Sequence, residues 1–456
     1  MPELLDAARL DDLCVEALAA HRCPSVSVAL AADGEVVFAR AWGQADLATG
    51  RAATPATAYA LGSITKPITA TAVCRAADEG LLDLDIPVPG ELLPSFGSRH
   101  RRPTPRQLLQ HQGGLGAFYT FDYGDGAPLV DADRYAVAHR EPGSGFEYAN
   151  LGYRVLGRLL ADATGQPLGE AVRDRVFGPL GLDGCHLGPH YPGPAPTAVR
   201  HTIDGRPYPD YDCPHPGATL GWATAAELAL FAQHFERLLK PGTAAAVRDA
   251  LPVNEHLGYG LGWSVTGPAG GPRLLHHSGG GGGVAVMVVA VPEQRLSVAV
   301  LTNSTSKAAR DAILRGLLGE LVPGFREEWI VSVVTDPARP LELPAGSWTG
   351  RIGAPERELA VELRIGEAGR IELRVDGDQA EGTATASRAW DLRADLPLQL
   401  PTADARISSP LLTLALRLAP ASAGPTLTGV AHAYKSGDAE GFLGNYLAHR
   451  CALRPR

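Results

Sequence analysis

Within the first 322 residues, short apolar segments of strand character occur in two groups, one near residue 30 and one just before residue 302, separated by a long stretch with helical and loop signals. In the first group, Ser25-Val26-Ser27-Val28 and Val36-Val37-Phe38 flank Asp33-Gly34, a tight hairpin signal. In the second, 273–277, 284–291 and 296–301 read as three successive antiparallel strands, followed by a helix over 307–321. An isolated hairpin is marginal in water, so the two early strands and three late ones are predicted to share one antiparallel sheet. That sheet is flanked by helices, the first carrying Leu10, Leu13, Cys14, Ala17 and Leu18 at helical spacing, and it brings both ends of the domain side by side. Further helices are expected at 63–80, 150–163, 167–177 and 224–239.

The fold class is therefore α+β, with residues 1–322 as one domain. Residues 323–346 carry Pro323, Pro337, Pro340 and Pro344 without periodicity and read as a linker. Beyond them every signal is β: Leu359, Val361, Leu363 and Ile365 alternate, Glu367-Ala368-Gly369 turns, and Ile371, Leu373 and Val375 alternate again. Leu412, Leu414, Leu416 and Leu418 repeat the pattern, so 347–456 is expected to be a small antiparallel β-barrel. With 456 residues and 45% hydrophobic composition the chain can bury a core in each domain.

Composition excludes several classes of function. A formal charge of −9 leaves no basic stripe for phosphates, which argues against nucleic acid as a partner. The first twenty residues carry Glu3, Asp6, Asp11, Asp12 and Glu16 in place of a basic start and an apolar run, and no stretch reaches about 18 apolar residues. A cytoplasmic protein with no membrane partner is the expectation. The six cysteines lack CxxC spacing and are expected to be free thiols. Lysine occurs only at 66, 240, 307 and 435, so each position merits inspection.

Three short motifs carry reactive groups. Ser63-Ile64-Thr65-Lys66 stands where an extended segment enters a helix, and residues three apart there share a face with Cβ atoms about 5–6 Å apart. A hydroxyl and an amine can meet at that spacing, although a capping serine beside a solvated lysine has the same sequence. Tyr148-Ala149-Asn150 precedes a helix and is equally compatible with a turn and an asparagine cap. His277-Ser278-Gly279 ends a strand and opens the run Gly279 to Gly283, where a bare backbone edge suits close approach by an extended peptide or forms a mobile hairpin. His276-His277 lacks a third ligand at metal spacing, and no Gly-x-Ser-x-Gly elbow is present. No metal or other cofactor is expected.

In this order and spacing the motifs resemble the serine β-lactamase and penicillin-binding-protein superfamily, nearest to its class C-like branch. Supporting segments are Thr104-Pro105-Arg106-Gln107-Leu108-Leu109 with His111, Pro179-Leu180-Gly181-Leu182, Trp222-Ala223-Thr224-Ala225-Ala226-Glu227-Leu228 and Tyr259-Gly260-Leu261-Gly262-Trp263, over residues 10–321. The resemblance implies that Ser63 is the nucleophile, Lys66 its activator and Tyr148 a proton shuttle. Lys66 and Tyr148 remain alternative bases for acylation. Each starts with a pKa near 10, and moving one to about 7 costs roughly 4 kcal/mol, within reach of burial and one neighbouring cation. The resemblance further implies that Asn150 binds a substrate amide carbonyl, that His277 hydrogen-bonds near Tyr148, and that the N–H groups of Ser63 and Gly280 form an oxyanion hole.

Within that superfamily the chain looks most like the penicillin-binding-protein-type thioesterases, which cyclise nonribosomal peptides head to tail and carry a lipocalin-like C-terminal domain. The implied partner is a peptidyl thioester on the carrier protein of a nonribosomal peptide synthetase, or otherwise a small peptide or ester substrate. Ser278, Gly279, Trp222, Tyr119 and Arg450 are the expected substrate contacts, Trp222 and the aromatic loop Phe118, Tyr119, Phe121 and Tyr123 walling the acyl pocket. A cytoplasmic D-specific peptidase, amidase or esterase of the same fold is the alternative, and a scaffold with a decayed site is disfavoured because every reactive residue type is present.

Overall fold

The computed structural model describes residues 6–97, 100–124, 126, 129–267, 271–330, 337–354, 356–402, 411–419, 424–434, 438 and 441–456. Lys435, Glu3 and residues 331–336 of the expected linker lie outside the described residues. The chain forms two compact units, Met1–Asp85 with Leu156–Val334 and Asp438–Phe442, and Ile86–Val155 with Thr335–Gly437 and Leu443–Arg456.

In the first unit helix α1 (Ala7–His21) leads into the hairpin β1 (Ser25–Ala32) and β2 (Glu35–Asp46), turned at Asp33 and Gly34 with φ of +52° and +98°. The short strand β3 (Tyr59–Gly62) runs into α2 (Thr65–Asp78); later come α3 (Asn150–Thr164), which begins in the second unit, β4 (Gly221–Ala223) and α4 (Ala225–His234). Three strands then follow in succession, β5 (Leu274–Gly281), β6 (Val284–Val291) and β7 (Leu296–Thr302), before α5 (Ala308–Leu321). The main sheet has the order Arg51–Ala52, β2, β1, β7, β6, β5, Ser264–Thr266, Leu257–Tyr259, Leu251–Pro252. The two early strands and three late ones thus form its centre, β1 pairing with β7 from Val26–Thr302 to Ala32–Leu296.

Every residue of β1, β6 and β7 is buried, because both faces are covered. On β7, Leu296, Val298 and Val300 join Leu10, Cys14, Ile313, Leu314 and Leu317 in one apolar cluster under α1 and α5. On the opposite face Ser297 Oγ donates to Ala229 O of α4 at 2.7 Å. Trp329 and the partly buried Phe325 and Ile330 pack into the same cluster as α1 and α5. The expected helix over 167–177 is α-helical only over Leu168–Val172 and continues as a π-helical turn over Arg173–Phe177.

The second unit contains the C-terminal barrel. Its strands are β8 (Gly346–Gly353), β9 (Glu358–Ile365), β10 (Arg370–Val375), β11 (Asp378–Thr383), β12 (Leu392–Leu396), β13 (Leu411–Ala419), β14 (Thr426–Tyr434) and β15 (Tyr446–Pro455). They pair in the order β11-β10-β9-β8-β15-β14-β13-β12, an antiparallel, nearly closed barrel. The alternating residues Leu359, Val361, Leu363, Ile365, Ile371, Leu373, Val375, Leu412, Leu414 and Leu416 fill its interior. Leu418, expected to continue that row, is 42% exposed, since β13 leaves the apolar interior at its C-terminal end. Outside the barrel Trp390, Ala415, Val430 and Ala448 form a smaller apolar patch. Two residues lie against it, the Arg140 guanidinium 5.2 Å over the Trp390 ring and Gly116 so close that a Cβ there would meet Ala448 Cβ at 2.7 Å.

No disulfide joins any of the six cysteines. Among the described residues no helix is long and apolar enough to cross a membrane, and no three His, Cys, Asp or Glu side chains converge as a metal site.

Candidate active site

Strand β3 ends at Gly62, whose φ of +49° turns the chain, so that Ser63 and Ile64 form the link into α2. A side chain at Gly62 would meet Gly280 N at 3.0 Å, which is why the turn before Ser63 can lie against the glycine end of β5. Thr65 locks this turn: its hydroxyl donates to Gly62 O at 2.6 Å and accepts from Gly221 N–H at 2.8 Å, tying α2 to β4. Thr69 Oγ1 donates to Gly217 O at 2.8 Å, extending the clamp by another helical turn.

Lys66 follows one turn after Ser63 and is 0% exposed. Its Nζ lies 3.1 Å from Ser63 Oγ and 3.2 Å from Ala218 O. Burial pushes the amine well below the ordinary lysine range, because an ammonium there loses its water; the Cys213 thiol opposes this weakly and is itself pushed up to about 12 by burial. A neutral amine can donate to Ala218 O while its lone pair faces the Ser63 hydroxyl, the arrangement a general base requires.

Burial holds the imidazole of His277 on β5 down at about 3, and any positive charge on Lys66 would hold it lower still. Nδ1 donates to Ser278 O at 2.8 Å, so Nε2 is the acceptor for the Tyr259 hydroxyl at 3.0 Å. Ser278 alternates to the other face, where its hydroxyl accepts from Arg310 Nη1 at 2.8 Å. Any substrate contact by Ser278 is thereby left to its backbone. The fully buried Arg310 also reaches Val286 O at 3.1 Å and pairs with Asp311, fastening β5 and β6 to α5.

The glycine run has a different explanation from the one its sequence suggests. A Cβ at Gly279 would lie 2.1 Å from Leu61 O, one at Gly282 would enter the Tyr208 ring at 2.2 Å, and one at Gly283 would meet Arg200 Cβ at 2.4 Å. Those three glycines admit the protein's own groups, whereas a Cβ at Gly281 would meet only the Tyr211 hydroxyl, at an ordinary 3.6 Å. Beside Gly280 stands Lys307, whose Cε would be 3.1 Å from an added Cβ. Burial and Arg310 push its amine down to about 8, and it has no hydrogen-bond or ion-pair partner among the described residues. Lys240 is elsewhere, bonded to Asp78 O. Trp222 is 7% exposed on β4, opposite Ala60, with its indole N–H donating to Gly188 O at 3.0 Å.

Tyr148, Asn150, Tyr119 and Arg450 belong to the second unit. The Tyr148 ring lies 4.2 Å from the His111 ring, tilted 36°. Asn150 Nδ2 donates to Phe118 O at 2.8 Å, while Oδ1 is buried without a partner, so the amide offers an acceptor as well as its second N–H. Tyr119 pairs by backbone with Tyr446 at the start of β15, their rings 5.5 Å apart. Arg450 is exposed, facing out of the barrel opposite Val430. Motif spacing did not single out Tyr259, Arg310 or His111, although Tyr259 and His111 lie within the segments carrying the resemblance; Thr65 lies inside Ser63-Ile64-Thr65-Lys66 and Lys307 is one of the four lysines.

The Beta-lactamase family model matches residues 10–321. "Penicillin-binding protein 4" of Amycolatopsis lactamdurans is 31% identical over 74% of this chain and 95% of its own length. "Esterase EstB" of Burkholderia gladioli is 38% identical over 39% of this chain and 51% of its own. Among solved structures, SurE with D-Leu superposes at a TM-score of 0.63 and 23% identity, covering 97% of this chain and 100% of that one, so the likeness of fold includes the barrel. With a buried amine 3.1 Å from a serine hydroxyl at the helix entrance, the chain belongs to the β-lactamase family, in the class C-like branch of the serine β-lactamase and penicillin-binding-protein superfamily, and has its serine hydrolase fold.

Proposed function

We propose that this protein is a stand-alone thioesterase that takes a peptidyl group from a carrier-bound thioester onto Ser63 and closes the peptide on its own N-terminal amine. The observation that carries the reading is the pairing of Ser63 Oγ with the buried, neutral-leaning Lys66 amine. Lys66 accepts the Ser63 proton as the oxygen attacks the thioester carbonyl. The N–H groups of Ser63 and Gly280 receive the developing oxyanion. The C–S bond breaks, Tyr148 supplies a proton to the leaving thiolate, and the acyl-Ser63 ester remains. The peptide's amine then attacks that ester, Tyr148 takes up its proton, and Ser63 Oγ leaves and is reprotonated. Asn150 holds an amide of the acyl chain, and Trp222 and Arg450 are further substrate contacts.

Cyclisation competes well with hydrolysis on physical grounds. Water stands at about 55 M, whereas a well-oriented intramolecular amine acts at an effective 10⁵ M or more, and an α-amine of pKa near 8 is partly neutral at pH 7. Support also comes from the likeness of fold to SurE over nearly the whole chain, a structure that holds D-Leu. The second reading, a D-specific peptidase or amidase, is favoured by similarity to "D-aminopeptidase" of Brucella ovis, 26% identical over 78% of this chain. Incubation with peptidyl N-acetylcysteamine thioesters ending in a D-residue separates the two. A cyclic product about 18 Da lighter than the free acid supports the cyclase, and acid alone supports the hydrolase.

A further inference from the structure

Tyr148 lies in a segment with no regular secondary structure, so something other than a helix or strand ladder must hold it. His111 does so on three sides. Its carbonyl accepts from Glu147 N–H at 2.8 Å, the residue before Tyr148, and its ring Nδ1 accepts from Ala149 N–H at 3.1 Å, the residue after it. Its ring lies against the Tyr148 ring at 4.2 Å. To reach all three, His111 adopts φ +55°, a left-handed conformation that only a few per cent of non-glycine residues take, asparagine, aspartate and histidine most often, and such conformations gather at functional sites. The imidazole is itself confined by Phe146 at 5.7 Å and by Tyr153 of α3 at 5.3 Å, while Tyr153 OH donates to Leu109 O at 2.9 Å. His111 is 2% exposed.

We infer that His111 is a positioning residue that fixes the Tyr148 phenol for proton transfer, by clamping the backbone on both sides of Tyr148 and stacking on its ring. The inference rests on the proposed role of Tyr148 as the proton shuttle. Nδ1 must be unprotonated to accept from Ala149 N–H, so the ring proton sits on Nε2 and His111 acts as a fixed neutral acceptor. An asparagine would keep both features that matter to the backbone, tolerance of the left-handed conformation and an acceptor at the δ1 position. A phenylalanine would keep the ring and lose the acceptor.

The test is a double-mutant cycle between positions 111 and 148, using whichever substrate the wild type turns over, with melting temperature recorded for each variant. Tyr148→Phe is expected to lower kcat by about 100-fold or more, the usual scale for a proton-transfer group. His111→Ala is expected to lower kcat about 10- to 50-fold with KM changed less than about threefold, and to cost less than about twofold further in the Tyr148→Phe background. His111→Asn is expected within about fivefold of wild type, and His111→Phe as slow as His111→Ala. Full additivity in the cycle, or His111→Phe at the wild-type rate, overturns the clamp while leaving Tyr148 catalytic. Wild-type kcat in Tyr148→Phe removes the role of Tyr148 and the clamp with it. Where His111→Ala does not fold, the Asn and Phe variants complete the same cycle.

Discussion

Replacing Thr65 by valine removes one oxygen while keeping the shape of the side chain. That oxygen serves two buried backbone groups, Gly62 C=O at 2.6 Å and Gly221 N–H at 2.8 Å, and Thr65 is 0% exposed, so water cannot replace it. Each orphaned group costs about 1–3 kcal/mol, and the added methyl returns about 0.8 kcal/mol, leaving a net loss of about 1–5 kcal/mol centred near 3. Thr65→Ser keeps the oxygen and loses one buried methyl, about 1 kcal/mol. At roughly 2–3 °C per kcal/mol for a chain of this size, the valine variant is expected to melt about 5–10 °C below wild type, and the serine variant about 2–3 °C below. Differential scanning calorimetry of the three proteins provides the comparison. A valine variant as stable as the serine variant would refute the idea that Thr65 holds the turn at Gly62 and Ser63 to β4.

Other consequences are equally direct. Arg310→Met should cost about 3–5 kcal/mol in chemical denaturation, since Asp311 loses its ion-pair partner and Ser278 Oγ and Val286 O lose their donor; an unchanged midpoint would show that β5 does not depend on it. Burial holds His139, His276, His277 and His432 at about 3 and His449 at about 4. Their folded values lie below the unfolded value near 6.5, so the unfolded chain takes up protons that the folded one refuses. Stability is therefore complete above about pH 6.5 and falls on acidification toward pH 3, by about 1.4 kcal/mol per pH unit for each histidine. A melting temperature that stays flat from pH 6.5 to 4.5 would contradict it. In activity, kcat/KM should rise with pH as Lys66 loses its proton, with a midpoint well below 10.5; a midpoint at 10.5 would mean an ordinary solvated lysine.

Local chemistry made much of this legible in advance. Asp33-Gly34 requires positive φ at both turn residues and has it, and runs such as Val284 to Val291 are rich in β-branched residues, so the two-plus-three strand arrangement followed from pattern alone. The Ser63 and Lys66 pair followed from helical spacing. What the pattern concealed depends on distant partners. Nothing near Gly282 announces that the Tyr208 ring occupies its side-chain space, and nothing near Lys66 announces Ala218 O. Ser278 shares a motif with His277 yet faces Arg310, because alternation along β5 sends neighbours to opposite faces. His111 stood in a recognisable segment, but its value lies in a backbone angle and three contacts formed only after folding.

The nucleophile can be tested most directly by intact-protein mass spectrometry after treatment with a fluorophosphonate, followed by peptide mapping. Wild type should gain one adduct, located on Ser63, with a rate that collapses in Lys66→Met and no adduct in Ser63→Ala. An adduct on another residue, or equal labelling of Ser63→Ala, would contradict the assignment of Ser63 and Lys66 as the reacting pair.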